Sequence, residues 1–208
     1  MLGAAFITSY CTIKPWEVSI DGAVGYVDNG EFTTADFLKN IYKSYNVDYP
    51  KFHKMDNLCK LGLLNAELLI RNSEVTQKYK PEEIAIVLTN SASSLDVDQK
   101  YQATIQEKDN FFPSPAVFVY TLPNILIGEI AIKYKITGEN AFFIAEQFDP
   151  HFMNSYISNL LNTNKARCCI AGWVEFYNNS FNSFLYAVEQ QPGKLTLEHT
   201  TEILGQIF

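Results

Sequence analysis

The chain has 208 residues, 47% of them hydrophobic and 19% charged, with a formal net charge of −7 at pH 7. That balance excludes a disordered chain, and an acidic sequence without a basic stripe is a poor match for nucleic acid. No apolar run approaches the roughly 20 residues of a membrane-spanning helix, and the length fits one domain, 1–208, with a real core.

The pattern opens on apolar, β-branched residues 4–12 with Pro15 behind them, which reads as a strand and then a loop. The leading residues Met1, Leu2 and Gly3 carry no basic leader, so the expectation is a cytoplasmic protein without a signal peptide. Residues 17–50 hold Gly22, Gly25, Gly30 and Pro50 among scattered aromatics and read as irregular. One short helix is expected there, over 34–44, with Phe37, Ile41 and Tyr42 as its apolar face. A stronger helix spans 56–71, with Asp56 as N-cap and Leu58, Leu61, Leu64, Leu68 and Leu69 at helical spacing. Residues 84–89, Ile-Ala-Ile-Val-Leu-Thr, form a short buried strand. The polar loop 90–94 behind it contains no glycine, which argues against a backbone phosphate cradle. A helix over 95–106 follows.

From Ser114 to Glu175 the grammar is helix, strand, helix, strand. Asn124 can cap a helix carrying Leu126, Ile127, Ile130, Ala131 and Tyr134, and Gly138 stands where that helix should stop. Residues 141–145 are a short apolar strand, 151–164 a helix, and 166–174 a second buried strand. Helical crossovers between continuously apolar strands imply a mostly parallel α/β sheet with helices on both faces. A polar loop with Asn178 and Asn179, a strand at 184–188 and a tail at 195–208 complete the chain.

Few side chains announce chemistry. Cys11, Cys59, Cys168 and Cys169 form no C-x-x-C pair, and with three histidines in the chain no metal cluster or cofactor site is expected. Cys168 and Cys169 should face opposite ways in their strand as inert small hydrophobes. Helix 151–164 stands out differently. Phe152, Met153, Tyr156, Ile157, Leu160 and Leu161 make one face, Asn154, Ser155, Ser158 and Asn159 the other, and no Lys, Arg, Asp or Glu occurs in it. Solvent-facing helices usually carry charge, so this face is expected to be covered, either by a partner or by the chain's own tail or its 17–50 segment.

The run from Ser114 to Glu175 resembles the β-ketoacyl synthase family, of thiolase-type fold. Ser114 and Pro115, Asn124, Gly128, Tyr134, Gly138, Gly172 and Glu175 fall on that family's motif in order. Gln147 takes the nucleophile's place, and the pair Glu146-Gln147 resembles both the chain-length-factor subunits of two-chain ketosynthases and the decarboxylating ketosynthases. The resemblance implies half of a thiolase-like fold. The family's second half, which supplies two histidines, a lysine and a gating phenylalanine, has no counterpart in this sequence. A carboxamide cannot form the acyl thioester, so Gln147, with neighbours Glu146 and His151, implies no catalysis by this chain alone.

The implied partner is a full-length ketosynthase in a heterodimer, with acyl carrier protein docking on that partner because this chain is acidic. The strand with Phe142 and Phe143 would lie at the dimer interface with Phe148 nearby, and Tyr101 and Ile105 would face the acyl tunnel. Fatty-acid-like, polyketide or aryl polyene pigment synthesis would be the process. Two other roles stay open: a Gln-type malonyl decarboxylase, and a homodimeric scaffold that binds acyl chains or a carrier protein.

Overall fold

The computed structural model describes residues 4–30, 33–109 and 111–208; Met1, Leu2 and Gly3, invoked above for the absent leader, lie outside them. The elements run β1 (Phe6–Lys14), β2 (Glu17–Ile20), β3 (Ala23–Val27), α1 (Thr34–Ser44), α2 (Asn57–Ser73), α3 (Val75–Lys78), β4 (Ile84–Asn90) and α4 (Leu95–Ala103). They continue with α5 (Pro115–Phe118), α6 (Ile125–Tyr134), β5 (Asn140–Ile144), α7 (Pro150–Asn162), β6 (Cys168–Tyr177), β7 (Ser180–Glu189), β8 (Leu197–Glu198) and α8 (Thr201–Ile207).

The architecture is α/β: one mixed sheet in the order β3-β2-β1-β7-β6-β4-β5, with β8 beside β1, and helices on both faces. Parallel pairing is confined to β4, which lies between β5 and β6. The other ladders are antiparallel, which corrects the expectation of a mostly parallel sheet. The extra antiparallel strands come from tight hairpins. Asp21 and Gly22, both at positive φ, turn β2 into β3, and Asn178 and Asn179, at φ 50° and 62°, turn β6 into β7. Both pairs suit the left-handed geometry that two-residue hairpins need. Residues 17–30, read as irregular, are therefore mostly strand.

Alternation sorts the sheet's side chains. Ile86, Leu88, Cys168 and Ile170 pack with α1, α2 and α6 on one face, while Ala85, Val87, Cys169 and Ala171 pack with α7 and α8 on the other. The two neighbouring cysteines do part to opposite faces. Burial drives the Cys168 thiol well above its usual range and that of Cys169 up to about 12, so neither is a nucleophile.

Helix α2 starts where expected, with the Asp56 carboxylate accepting from Leu58 N and Cys59 N at 3.0 and 3.1 Å. Its predicted stripe is buried, and so are Gly62, Leu63, Asn65, Ala66 and Ile70, because sheet, α1 and α6 enclose it. Buried Glu67 joins α2 to α6 through Tyr134 and Lys133, and buried Glu129 of α6 reaches Tyr49 Oη at 3.2 Å and Lys51 Nζ at 2.6 Å.

Three motif positions have different reasons from those expected. Helix α6 ends at Tyr134, with Lys135 left-handed at φ 58°, four residues before Gly138 has been reached. Gly138 is instead demanded by contact, since a Cβ there would lie 2.3 Å from the Ile84 carbonyl oxygen. Asn124 occupies the N-cap position of α6 without a capping hydrogen bond. Gly172 has φ +149°, and a Cβ on it would lie 2.0 Å from the Phe184 carbonyl oxygen. Gly172→Ala is therefore expected to cost about 3 kcal/mol in urea unfolding; a variant as stable as the parent would refute this reading of the β6–β7 contact.

Candidate functional site

The crossovers fix where a site can form. From β4 to β5 the chain returns through α6 on one face; from β5 to β6 it steps back past β4 through α7 on the other. Right-handed crossovers taken in opposite directions along a sheet must use opposite faces. The chain therefore diverges beyond the C-terminal ends of β4 and β5, the point where open α/β sheets place their ligands. The loops there are 91–94 and 145–149.

The first loop is locked. Asn90 accepts from Ser93 N at 3.0 Å and donates to the Ser93 carbonyl at 2.9 Å, while Ser93 takes a positive φ of 54°. Two successive N–H groups, Ser91 and Ala92, do point outward from the turn, but the Glu175 carboxylate accepts both, at 2.7 and 3.2 Å, and the Ser91 hydroxyl at 2.7 Å. The backbone is thus nest-like without glycine, and Glu175 of β6 fills it. The sequence marked Glu175 as a motif residue but gave no sign of this partner.

The second loop holds Glu146 and Gln147, both exposed, and Phe148, 5% exposed. Phe148 turns inward, stacks on Phe208 with centroids 4.5 Å apart and meets Phe184 edge-on. It belongs to the chain's own core. Helix α7 begins three residues after Gln147, and Asp149 Oδ1 accepts from His151 N and Phe152 N at 2.9 and 3.0 Å. A nucleophile or oxyanion would need those helix-terminal N–H groups, and a fixed carboxylate holds them. Gln147 is therefore not packed at a buried helix N-terminus.

The three histidines do not converge. His53 lies edge-on to Tyr42 and Phe52, His151 is exposed on the first turn of α7, and His199 is buried under the tail. Among the described residues no hydrogen bond links His151 to Gln147, and no cluster of three metal-ligating side chains occurs.

Tyr101 and Ile105 are half-buried at and beyond the end of α4, and the Tyr101 ring lies 5.2 Å from that of Phe118. The Ser114–Pro115 step is a helix start: Ser114 Oγ caps Val117 N at 3.4 Å and Pro115 opens α5. Around them Phe111, Phe112, Phe118, Val119 and Leu122 are exposed, Phe112 by 75%. A cavity of about 220 Å³ opens between this segment and the start of α2, lined by Met55, Val97, Val117 and Tyr120 with Lys54 and Lys100 at its rim. Strand β5 is an edge strand whose Phe142 packs on one sheet face and Phe143 on the other, against Phe152 and Tyr156. Gly128, also in the motif, has open space where a Cβ would stand, and nothing in the structure explains it.

No family model and no curated protein matches the sequence. Solved structures do match. The chain superposes on one from the ishigamide ketosynthase/chain length factor with TM-score 0.65 and 15% identity, over 90% of this chain and 62% of that one. For a type II polyketide acyl-carrier protein in complex with its ketosynthase, AntDE:AntF, the values are 0.62 and 13%, over 91% and 63%. For the ketosynthase ApeO in complex with its chain length factor ApeC, from Xenorhabdus doucetiae, they are 0.58 and 14%, over 93% and 81%. The chain has the thiolase-like fold of ketosynthases, and spans about three fifths of the length of the first two. Among the described residues no helix is long and apolar enough to cross a membrane.

One titration follows from the site's surroundings. Burial pushes the His199 imidazole down to about 4, so the folded chain holds it neutral where the unfolded chain, near 6.5, takes a proton. The stability this residue allows is complete above about pH 6.5 and is lost as pH falls towards 4, by roughly 1.4 kcal/mol per unit. Denaturant titrations at pH 6.5 and 5 should differ by about 2 kcal/mol, and His199→Phe should remove that difference.

Proposed function

We propose that the chain is a non-catalytic, chain-length-factor-like subunit: a ketosynthase N-terminal-like domain that pairs with a full-length β-ketoacyl carrier-protein synthase in the cytoplasm. The observation that carries this reading is where apolar surface is left open. Of the eleven large hydrophobic side chains exposed among the described residues, seven lie between 111 and 144: Phe111, Phe112, Phe118, Val119, Leu122, Ile132 and Ile144. The same stretch ends in the unpaired edge of β5, which contains no charged residue. Open apolar surface beside an open strand edge is the signature of a surface meant to be covered.

Three of the matched structures support the choice of partner, because they are of a ketosynthase with its chain length factor or with its carrier protein. In this reading the partner provides the nucleophile, the histidines and the docking surface for acyl carrier protein. This chain closes the far wall of the acyl tunnel with Tyr101 and Ile105. Synthesis of a polyketide, a fatty-acid-like chain or an aryl polyene is the process served. A decarboxylase role draws less support, since Gln147 and His151 are both exposed and, among the described residues, no second donor is bonded to either.

Co-expression with a full-length ketosynthase from the same source and native mass spectrometry should give a one-to-one complex. Phe112→Glu and Ile144→Asp should each weaken it by about tenfold or more, while a complex of undiminished yield would overturn the assigned surface. Within the intact complex, Tyr101→Trp or Ile105→Trp should shorten the product, and an unchanged product spectrum would remove those residues from the tunnel wall. Gln147→Ala should leave carbon dioxide release from malonyl carrier protein as it was; its loss would instead establish the decarboxylase.

A further inference from the structure

The cavity beside the start of α2 takes no part in the pairing proposed above. Its floor is apolar. Met55 and Val97 are buried and Val117 half-buried, and the hydroxyl of buried Tyr120 is engaged by the Glu129 carboxylate. Exposed Lys54 and Lys100 stand at the rim. An apolar hollow of about 150 Å³ accommodates a benzene ring, so about 220 Å³ has room for roughly eight carbon atoms.

Charge here runs against that of the whole chain. The net charge is −7, yet Lys54 and Lys100 meet at the cavity, and Lys60 lies within electrostatic range of Lys100 and Lys39. The Lys60 ammonium is pushed below the usual lysine range, first by burial and then by those two cations, with Asp56 pulling the other way. Asp56 is the one carboxylate in the lining, and both its oxygens are engaged in capping Leu58 N and Cys59 N. Asp96 pairs with Lys100 at 2.6 Å. Lys54 and Lys60 have no ion pair among the described residues.

We infer that this cavity binds an amphipathic anion, namely a medium-chain carboxylate. Its hydrocarbon tail lies on Met55, Val97, Val117 and Tyr120, and its head group meets Lys54 and Lys100. Each half of the ligand answers one half of the site. An apolar floor takes apolar surface out of water at about 25 cal/mol per Å², and a few convergent charges at the mouth of such a cavity fix a ligand's orientation. Cations crowded by their like are relieved by an added anion. Lysine suits the head group, because a compact charge on a flexible stem can follow it. An alcohol of the same length leaves the ammonium groups without a counter-ion, and an amine adds to their repulsion. Acetate has the head group and no tail to cover the floor. All the lining residues belong to this chain, so the site does not rest on the ketosynthase reading.

The test is calorimetric titration of the full chain alone with octanoate. Saturable one-to-one binding is expected, with octanol and octylamine at least tenfold weaker and acetate showing no heat of binding. The double variant Lys54→Gln, Lys100→Gln changes two exposed side chains and should fold, as circular dichroism would verify; its octanoate Kd should rise tenfold or more. Val117→Phe, which fills the cavity and leaves the lysines in place, should weaken octanoate by a similar factor. Absence of octanoate binding would overturn the site, and so would octanol binding as tightly or a double-lysine variant with unchanged Kd. No ketosynthase enters the experiment. A failed titration therefore leaves the proposed pairing untouched, and a failed pairing leaves the titration result standing.

Discussion

All seven residues of β4 are buried, with a parallel neighbour hydrogen-bonded on each side. A strand dry on both faces cannot exist unless both faces are roofed, and the rest of the chain follows from that demand. Helix α2 roofs one side with Leu61, Leu64 and Leu68, and α7 roofs the other with Met153, Ile157 and Leu161. The return routes into β5 and β6 must then separate to opposite faces. The divergence leaves two loops side by side, one clamped by Glu175 and one capped by Asp149.

What the sequence made legible was what burial dictates. The strand at 84–89, the leucine helix and its Asp56 cap, and helix 34–44 all follow from apolar spacing and a single capping residue, and the structure has them within a residue or two. The hairpin at Asp21-Gly22 was harder to see because Ala23, Val24, Gly25 and Val27 of β3 are exposed on both faces, which erases the in–out alternation that marks a strand. The tail was ambiguous for a related reason. Leu197 is half-buried and Leu204 buried only because distant segments, β1 and α7, come to meet them.

At the candidate site, residue type was legible and geometry was not. That the amide of Gln147 cannot act as an acyl-transfer nucleophile needs no coordinates. Where Gln147 stands relative to the helix behind it does, because Asp149 rather than Gln147 supplies the cap. Glu175 is a similar case: its carboxylate serves a turn 83 residues away, a pairing no local spacing encodes. The direction of Phe148 was not legible, since an aromatic beside a polar pair looks alike whether it points out or in, and its contacts with Phe184 and Phe208 turn it inward.

The Asp149 cap also bears on how such a chain can change over generations. Were Gln147 replaced by cysteine through a single mutation, the thiol would arise near a carboxylate that already saturates the helix-terminal N–H groups. Its thiolate would be disfavoured by that negative charge and denied the helix dipole. Nucleophilic chemistry at this position would need a second change at Asp149, and that change alone removes a cap worth about 1 kcal/mol to α7. Each change is unrewarded without the other, so a nucleophile at this position is closed to one-at-a-time selection.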